Sequence, residues 1–159
     1  MPCFFNHPRQ IVCQTIIQNC RNEVTNPVVT GGYGYFNNLD VGAIVPGGIL
    51  PVTAVTTRGN NIVQSTTTTG AISLAAGTYQ ISYSVTGEIP TGGTISAGVL
   101  LNGVGVSGTD VTESGTAGDV VGLNRTIILS VPNASTLNLT NTGTEETTYN
   151  FAGITITQL

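Results

Sequence analysis

Three cysteines, Cys3, Cys13 and Cys20, all fall within the first twenty residues of a 159-residue chain, and no cysteine follows. A thiol can serve as a nucleophile, a metal ligand or one half of a disulfide. Cys13 and Cys20 are separated by six residues, outside the C-x-x-C spacing that zinc and redox chemistry favour, which leaves a metal or redox site as the lesser alternative. With no thiol elsewhere to pair with, these cysteines can bridge only within their own segment or to the same segment of other copies. Cys3, Cys13 and Cys20 are therefore candidates for intermolecular disulfides, and the chemistry they point to is covalent assembly.

The rest of the chain holds little that could do catalysis. The only histidine, His7, lies in the same N-terminal segment beside Pro8, so a Ser-His or Cys-His pair cannot be assembled in the body. Glu145 and Glu146 are adjacent, and on a strand they would point to opposite faces. A turn with two solvated carboxylates is expected, not a glycosidase pair. Asp40, Asp110 and Asp119 are isolated in sequence and lack the D-x-D spacing of a calcium loop, though carboxylates of separate loops could still converge at a symmetry axis. Gly31-Gly32-Tyr33-Gly34 and Gly115 to Gly118 do not join a strand to a helix, so neither is a phosphate loop. Sequons at Asn124, Asn133 and Asn138 are no more than so Ser/Thr-rich a chain carries by chance. The expectation is no catalytic residue, no metal site and no cofactor: not an enzyme.

Only 8% of residues are charged, none is lysine, and the arginines stand apart at Arg9, Arg21, Arg58 and Arg125, giving a net charge of -4. No basic patch is available to neutralise phosphates, so nucleic acid is not an expected partner. No apolar stretch is long enough to span a bilayer, and no membrane partner is expected. Low charge, abundant threonine and candidate disulfides suggest an extracellular protein, whereas Met1 to Arg21 shows no secretory leader. Release by lysis of the producing cell reconciles the two; loss of a leader is the alternative.

The elements that would position these groups divide the chain at Asn26-Pro27. Residues 1–26 read as an N-terminal extended arm, a cysteine-containing connector, and 27–159 as the folded domain. Ile11, Val12, Ile16 and Ile17 are candidate arm-docking residues, forming either one short helical stripe or two strand fragments. Extended, the arm would reach about 85–90 Å, far enough to touch a neighbour and add an edge strand to its sheet. From Tyr33 onward the pattern is all-β. Tyr79, Ile81, Tyr83 and Val85 alternate with polar residues, as do Ile95, Ala97, Val99 and Leu101; Ile127, Leu129 and Val131; Leu137 and Leu139; and Ala152, Ile154 and Ile156. That is the alternation of half-buried antiparallel strands. Asn102-Gly103 is a strong two-residue hairpin signal. Breaks at Pro46-Gly47-Gly48, Gly59 to Asn61, Pro90 to Gly93, Pro132-Asn133 and Gly143 predict about eight to ten strands in a β-sandwich.

Four stretches, Tyr33 to Asn38, Ala71 to Val85, Leu101 to Gly108 and Ile154 to Thr157, resemble the C-terminal domain of the collagen-like exosporium glycoproteins of spore-forming bacteria. The resemblance spans residues 33–159 and is most specific at Gly77-Thr-Tyr-Gln-Ile-Ser-Tyr83 and the Asn-Gly hairpin. It implies a jelly-roll β-sandwich of the tumour necrosis factor-like type, assembled as a homotrimer. The chain departs from that pattern in having no Gly-x-x repeat before the domain; its cysteine arm is instead similar to the N-terminal connectors of endospore-appendage subunits. The function implied is a self-assembling structural subunit of a spore-surface fibre or appendage, joined through the arm and cross-linked by arm disulfides. Its partners would be itself, as trimer and higher polymer, and other spore-coat or exosporium proteins, on a spore freed by mother-cell lysis. The trimer would pack through the face opposite the core, that of Gln80, Ser82, Ser84, Thr155 and Thr157. The alternative is an adhesion or receptor-binding domain at the tip of an appendage or phage fibre.

Overall fold

The computed structural model describes residues 31–159, and these form two packed antiparallel sheets with no helix among them. The strands are β1 (Tyr33–Asn38), β2 (Gly42–Ile44), β3 (Thr53–Arg58), β4 (Ile62–Gln64), β5 (Ile72–Leu74), β6 (Gly77–Glu88), β7 (Thr94–Leu101), β8 (Val104–Gly105), β9 (Val111–Ser114), β10 (Val120–Val131), β11 (Ser135–Asn141) and β12 (Thr147–Gln158). The first sheet has the order β10-β6-β12-β1-β3, with β2 also on β12. The second has the order β4-β5-β11-β7-β8, with β9 also on β7. The chain crosses between the sheets after β3, β5, β6, β9, β10 and β11, giving the all-β jelly-roll arrangement expected from the sequence. Twelve strands replace the eight to ten predicted, because β2, β4, β5 and β8 are only two or three residues long and leave no alternation to read. The expected domain start at Pro27 lies outside the described residues.

The alternation sorts side chains as the period of two requires. Tyr79, Ile81, Tyr83 and Val85 of β6 face Ile95, Ala97 and Val99 of β7 and Leu137 and Leu139 of β11, together with Ala152, Ile154 and Ile156 of β12, all in one buried cluster. Each fully buried aliphatic or aromatic side chain contributes about 1.5–3 kcal/mol relative to exposure. Phe36, Leu123 and Tyr149 also belong to this core.

The Asn-Gly hairpin forms between β7 and β8, with φ of 53° at Asn102 and 79° at Gly103, the positive values that a right-twisted two-residue turn demands. Asn102 does more than turn. Its Oδ1 accepts the Thr136 N–H at 2.8 Å and its Nδ2 donates to Ser135 Oγ at 3.1 Å, so the hairpin is pinned to the start of β11.

Candidate assembly surface

The outer face of the first sheet is built row by row from the strand register. One row runs Thr126, Ser82, Thr155, Tyr35, Thr56; the next runs Asn124, Ser84, Gly153, Asn37, Thr53; and a third runs Ile128, Gln80, Thr157, Tyr33, Arg58. Small polar residues fill the middle of this face, and Ser82 and Thr126 bond hydroxyl to hydroxyl at 2.9 Å. A β-carbon at Gly153 would lie 2.7 Å from the Phe151 ring and 3.7 Å from the Tyr35 ring. Only glycine therefore lets these two aromatics lean together over the sheet. Asn37 Nδ2 donates to the Tyr35 hydroxyl at 3.2 Å and fixes one side of the patch. The sequence-predicted face is thus present and largely open, with Gln80, Ser84, Thr155 and Thr157 exposed and Ser82 half-buried.

Two features of this sheet escaped sequence reasoning. The first is its edge at β10, twelve residues long and paired with β6 from Val120 to Val131 without a bulge. Ile128 stands 69% exposed on its outer side, between half-buried Ile127 and Leu129. The triplet Ile127-Ile128-Leu129, apolar on both faces of one strand, was the signal available. The second is the aromatic pair Tyr35 and Phe151, which only the register brings together.

The polar groups in the body are structural in their geometry. Tyr83 is buried, its hydroxyl set between the carbonyl oxygens of Ala97 at 3.0 Å and Thr109 at 2.5 Å. Its pKa is pushed up to about 12 by burial and, secondarily, by Asp110, with Arg125 acting against them. Tyr149, whose hydroxyl donates to Ser96 O at 2.6 Å, is raised further, mainly by burial. Buried Asn141 donates from Nδ2 to Ile44 O and Glu145 O and accepts the Gly143 N–H. Glu145 corrects the expectation of two solvated carboxylates: it is half-buried and accepts the Gly92 N–H at 2.9 Å, while Glu146 is exposed. Among the described residues no three His, Cys, Asp or Glu side chains converge to hold a metal ion, and no helix is long and apolar enough to cross a membrane. Cys3, Cys13, Cys20, His7 and the docking candidates Ile11, Val12, Ile16 and Ile17 lie outside the described residues.

No protein-family model and no curated protein matches this sequence. Solved structures do match its fold. Eiger TNF from S. frugiperda superposes with a TM-score of 0.64 at 12% identity over 80% of this chain and 91% of its own. Murine APRIL at pH 5.0 gives 0.62 at 10% identity, covering 80% and 99%. The globular domain of zebrafish complement 1qA gives 0.61 at 8% identity, covering 80% and 95%. The body is a jelly roll of the tumour necrosis factor-like type; at these identities the likeness speaks for the fold alone.

Proposed function

We propose that this chain is a structural subunit that self-associates, as a trimer through the first sheet, and is tied to further copies by its N-terminal arm into a fibre or layer on a bacterial spore. The observation that carries the self-association is the outer face itself, an aromatic patch in a field of Ser and Thr, with an exposed isoleucine set apart from it on the long edge strand β10. A closed ring of identical subunits other than a dimer uses two different patches, one meeting the other. The Tyr35–Phe151 face and the Ile128 edge are two such patches on one molecule, and small hydroxyl side chains permit close approach with their hydrogen bonds satisfied.

The arm carries the second half of the reading. Each bridge among Cys3, Cys13 and Cys20 of neighbouring arms joins two sulfurs and passes two electrons and two protons to an extracellular oxidant such as dioxygen. The spore surface rests on the resemblance of residues 33–159 to exosporium domains and of the arm to appendage connectors. Electron microscopy and sedimentation of the full chain, with and without reductant, test the whole. Fibres of stacked trimers are expected; a monomer under all conditions overturns the assembly, and discrete trimers that bind cells or glycans favour a tip adhesin.

A further inference from the structure

The sheets part on the side opposite β10. Between β3 and the run from Gln64 to Gly70 lies a cleft of about 390 Å³, with Val52, Thr53 and Ala54 as its other wall. Gln64 reaches across it and donates from Nε2 to Val52 O at 3.0 Å, while its Oε1 is buried with no hydrogen-bond partner. A buried acceptor without a donor is uncommon enough to require an explanation.

The strand beside this cleft is equally incomplete. β3 pairs with β1 on one side, and among the described residues no strand pairs with it on the other. All six of its residues are exposed, Val55 at 58%. Thr53–Arg58 contains neither Lys nor Pro, the residues that commonly protect an edge, and four of its six residues are β-branched. A bulge at Val55, between the pairs Tyr35–Thr56 and Phe36–Ala54, and the charge of Arg58 are the edge protections that β3 does carry, and they confine regular pairing of an added strand to either side of Val55.

The occupant follows from where the described chain begins. A β-carbon on Gly32 would sit 3.0 Å from Arg58 O, so the described residues begin at the Arg58 end of β3. At about 3.3 Å per residue, the stretch from Ile17 to Gly31 spans up to about 46 Å, against about 20 Å for β3 itself. That reach is ample for the Ile11–Ile17 stretch to meet the β3 edge of a neighbouring copy.

We infer that the open edge of β3 is the acceptor for the Ile11–Ile17 stretch of a second copy, added as a strand that seats an aliphatic side chain in the cleft beside exposed Ala54, where the Gln64 amide, on turning outward, gains an N–H donor for its Oε1. Main-chain ladder bonds give such an addition its affinity, and the cleft gives it selectivity. The inference rests on the arm-joined assembly proposed above and names its docking point.

Two measurements on the full chain test it. Hydrogen exchange of the assembled protein is compared with that of a variant carrying I11D, V12D, I16D and I17D. Amides of Thr53–Arg58 are expected to exchange at least about tenfold faster in the variant, with β6 and β12 unchanged. Fibres that survive the four substitutions overturn the arm-joint reading itself; fibres lost with no change at Thr53–Arg58 overturn the β3 assignment alone. The second measurement uses Val55→Cys in a chain keeping Cys13 but carrying C3S and C20S. A bridge between chains from Cys13 to the thiol introduced at position 55, identified by peptide mapping of the non-reduced oligomer and absent from the same chain with Val55 retained, is expected; bridges of Cys13 to Cys13 alone, or a bridge from Cys13 to position 55 closed within one chain, overturn docking between copies.

Discussion

Glu145 Oε2 accepts the backbone N–H of Gly92 at 2.9 Å, joining the turn after β6 to the turn before β12. A β-carbon on Gly92 would come within 2.4 Å of the same carboxylate, so the two residues are fitted to each other. Gly92→Ala and Glu145→Ala are each expected to lower unfolding stability by about 1 kcal/mol, and the double variant by less than the sum, as one shared hydrogen bond requires. Chemical denaturation of the four proteins checks this; full additivity would dissolve the link.

Ile128 needs no partner inside its own subunit. Replacing it by aspartate should therefore leave the circular dichroism spectrum and melting temperature nearly unchanged while weakening self-association by about ten- to a hundredfold, the equivalent of about 1.5–3 kcal/mol of lost apolar burial. Sedimentation equilibrium of I128D against the unsubstituted chain measures it, and an unaltered association constant would remove β10 from the interface.

High pH should unfold the body through its tyrosines. Tyr83 and Tyr149 have pKa values raised in the fold mainly by burial, so between the ordinary value near 10 and about 12 the unfolded chain ionises and the folded one does not. Stability is full below about pH 10 and falls with rising pH, by up to about 1.4 kcal/mol per unit for each such tyrosine. Denaturant titrations from pH 8 to about 12 should show this loss, and Tyr83→Phe should blunt it. A midpoint independent of pH would contradict the geometry.

Trypsin has few places to cut. Arg125 lies within β10, paired to Tyr83, with its Nε donating to Gly108 O at 2.9 Å, whereas Arg58 ends β3 beside the Gly59 turn. Native digestion is expected to cleave at Arg9 and Arg21, nick Arg58 slowly and spare Arg125. Mass spectrometry of the time course decides, and early cleavage at Arg125 would show that β10 opens readily.

The cysteines make the last prediction. In a threefold ring one class of cysteine cannot pair wholly with its own copies, because a disulfide joins two sulfurs and three are present. Cys13 to Cys20 of the next chain can close a covalent loop, leaving Cys3 to reach another ring. Denaturant alone should leave covalent oligomers and denaturant with reductant should give monomers; monomers without reductant, in protein shielded from reduction, would end the covalent reading.

What the sequence made legible was whatever depends on neighbours along the chain. Tyr79 to Val85 alternate because one face of β6 meets the core, and Asn102-Gly103 turns because few other residues accept positive φ at both positions. The hidden features depend on register between distant strands. Glu145 finds Gly92 across 53 residues, and Phe151 leans toward Tyr35 only because Gly153 pairs opposite Asn37. β3 was invisible as an exposed edge, since the bulge at Val55 and the shortness of β4 open the cleft, and neither is written in the local pattern Thr-Ala-Val-Thr-Thr-Arg. Tyr149 and Leu123 were missed as core residues because glycines and a register shift interrupt the alternation around them.

The chain enters the body through β1, and that entry has a mechanical meaning. β1 is held on both sides, by six residue pairs to β12 and five to β3. In the fibre proposed above, a pull on the arm would enter the body at Gly31, and its component along β1 would load that strand between its two partners. Both ladders then bear the load together in shear, and the subunit yields only if all these pairs slip at once instead of peeling one by one.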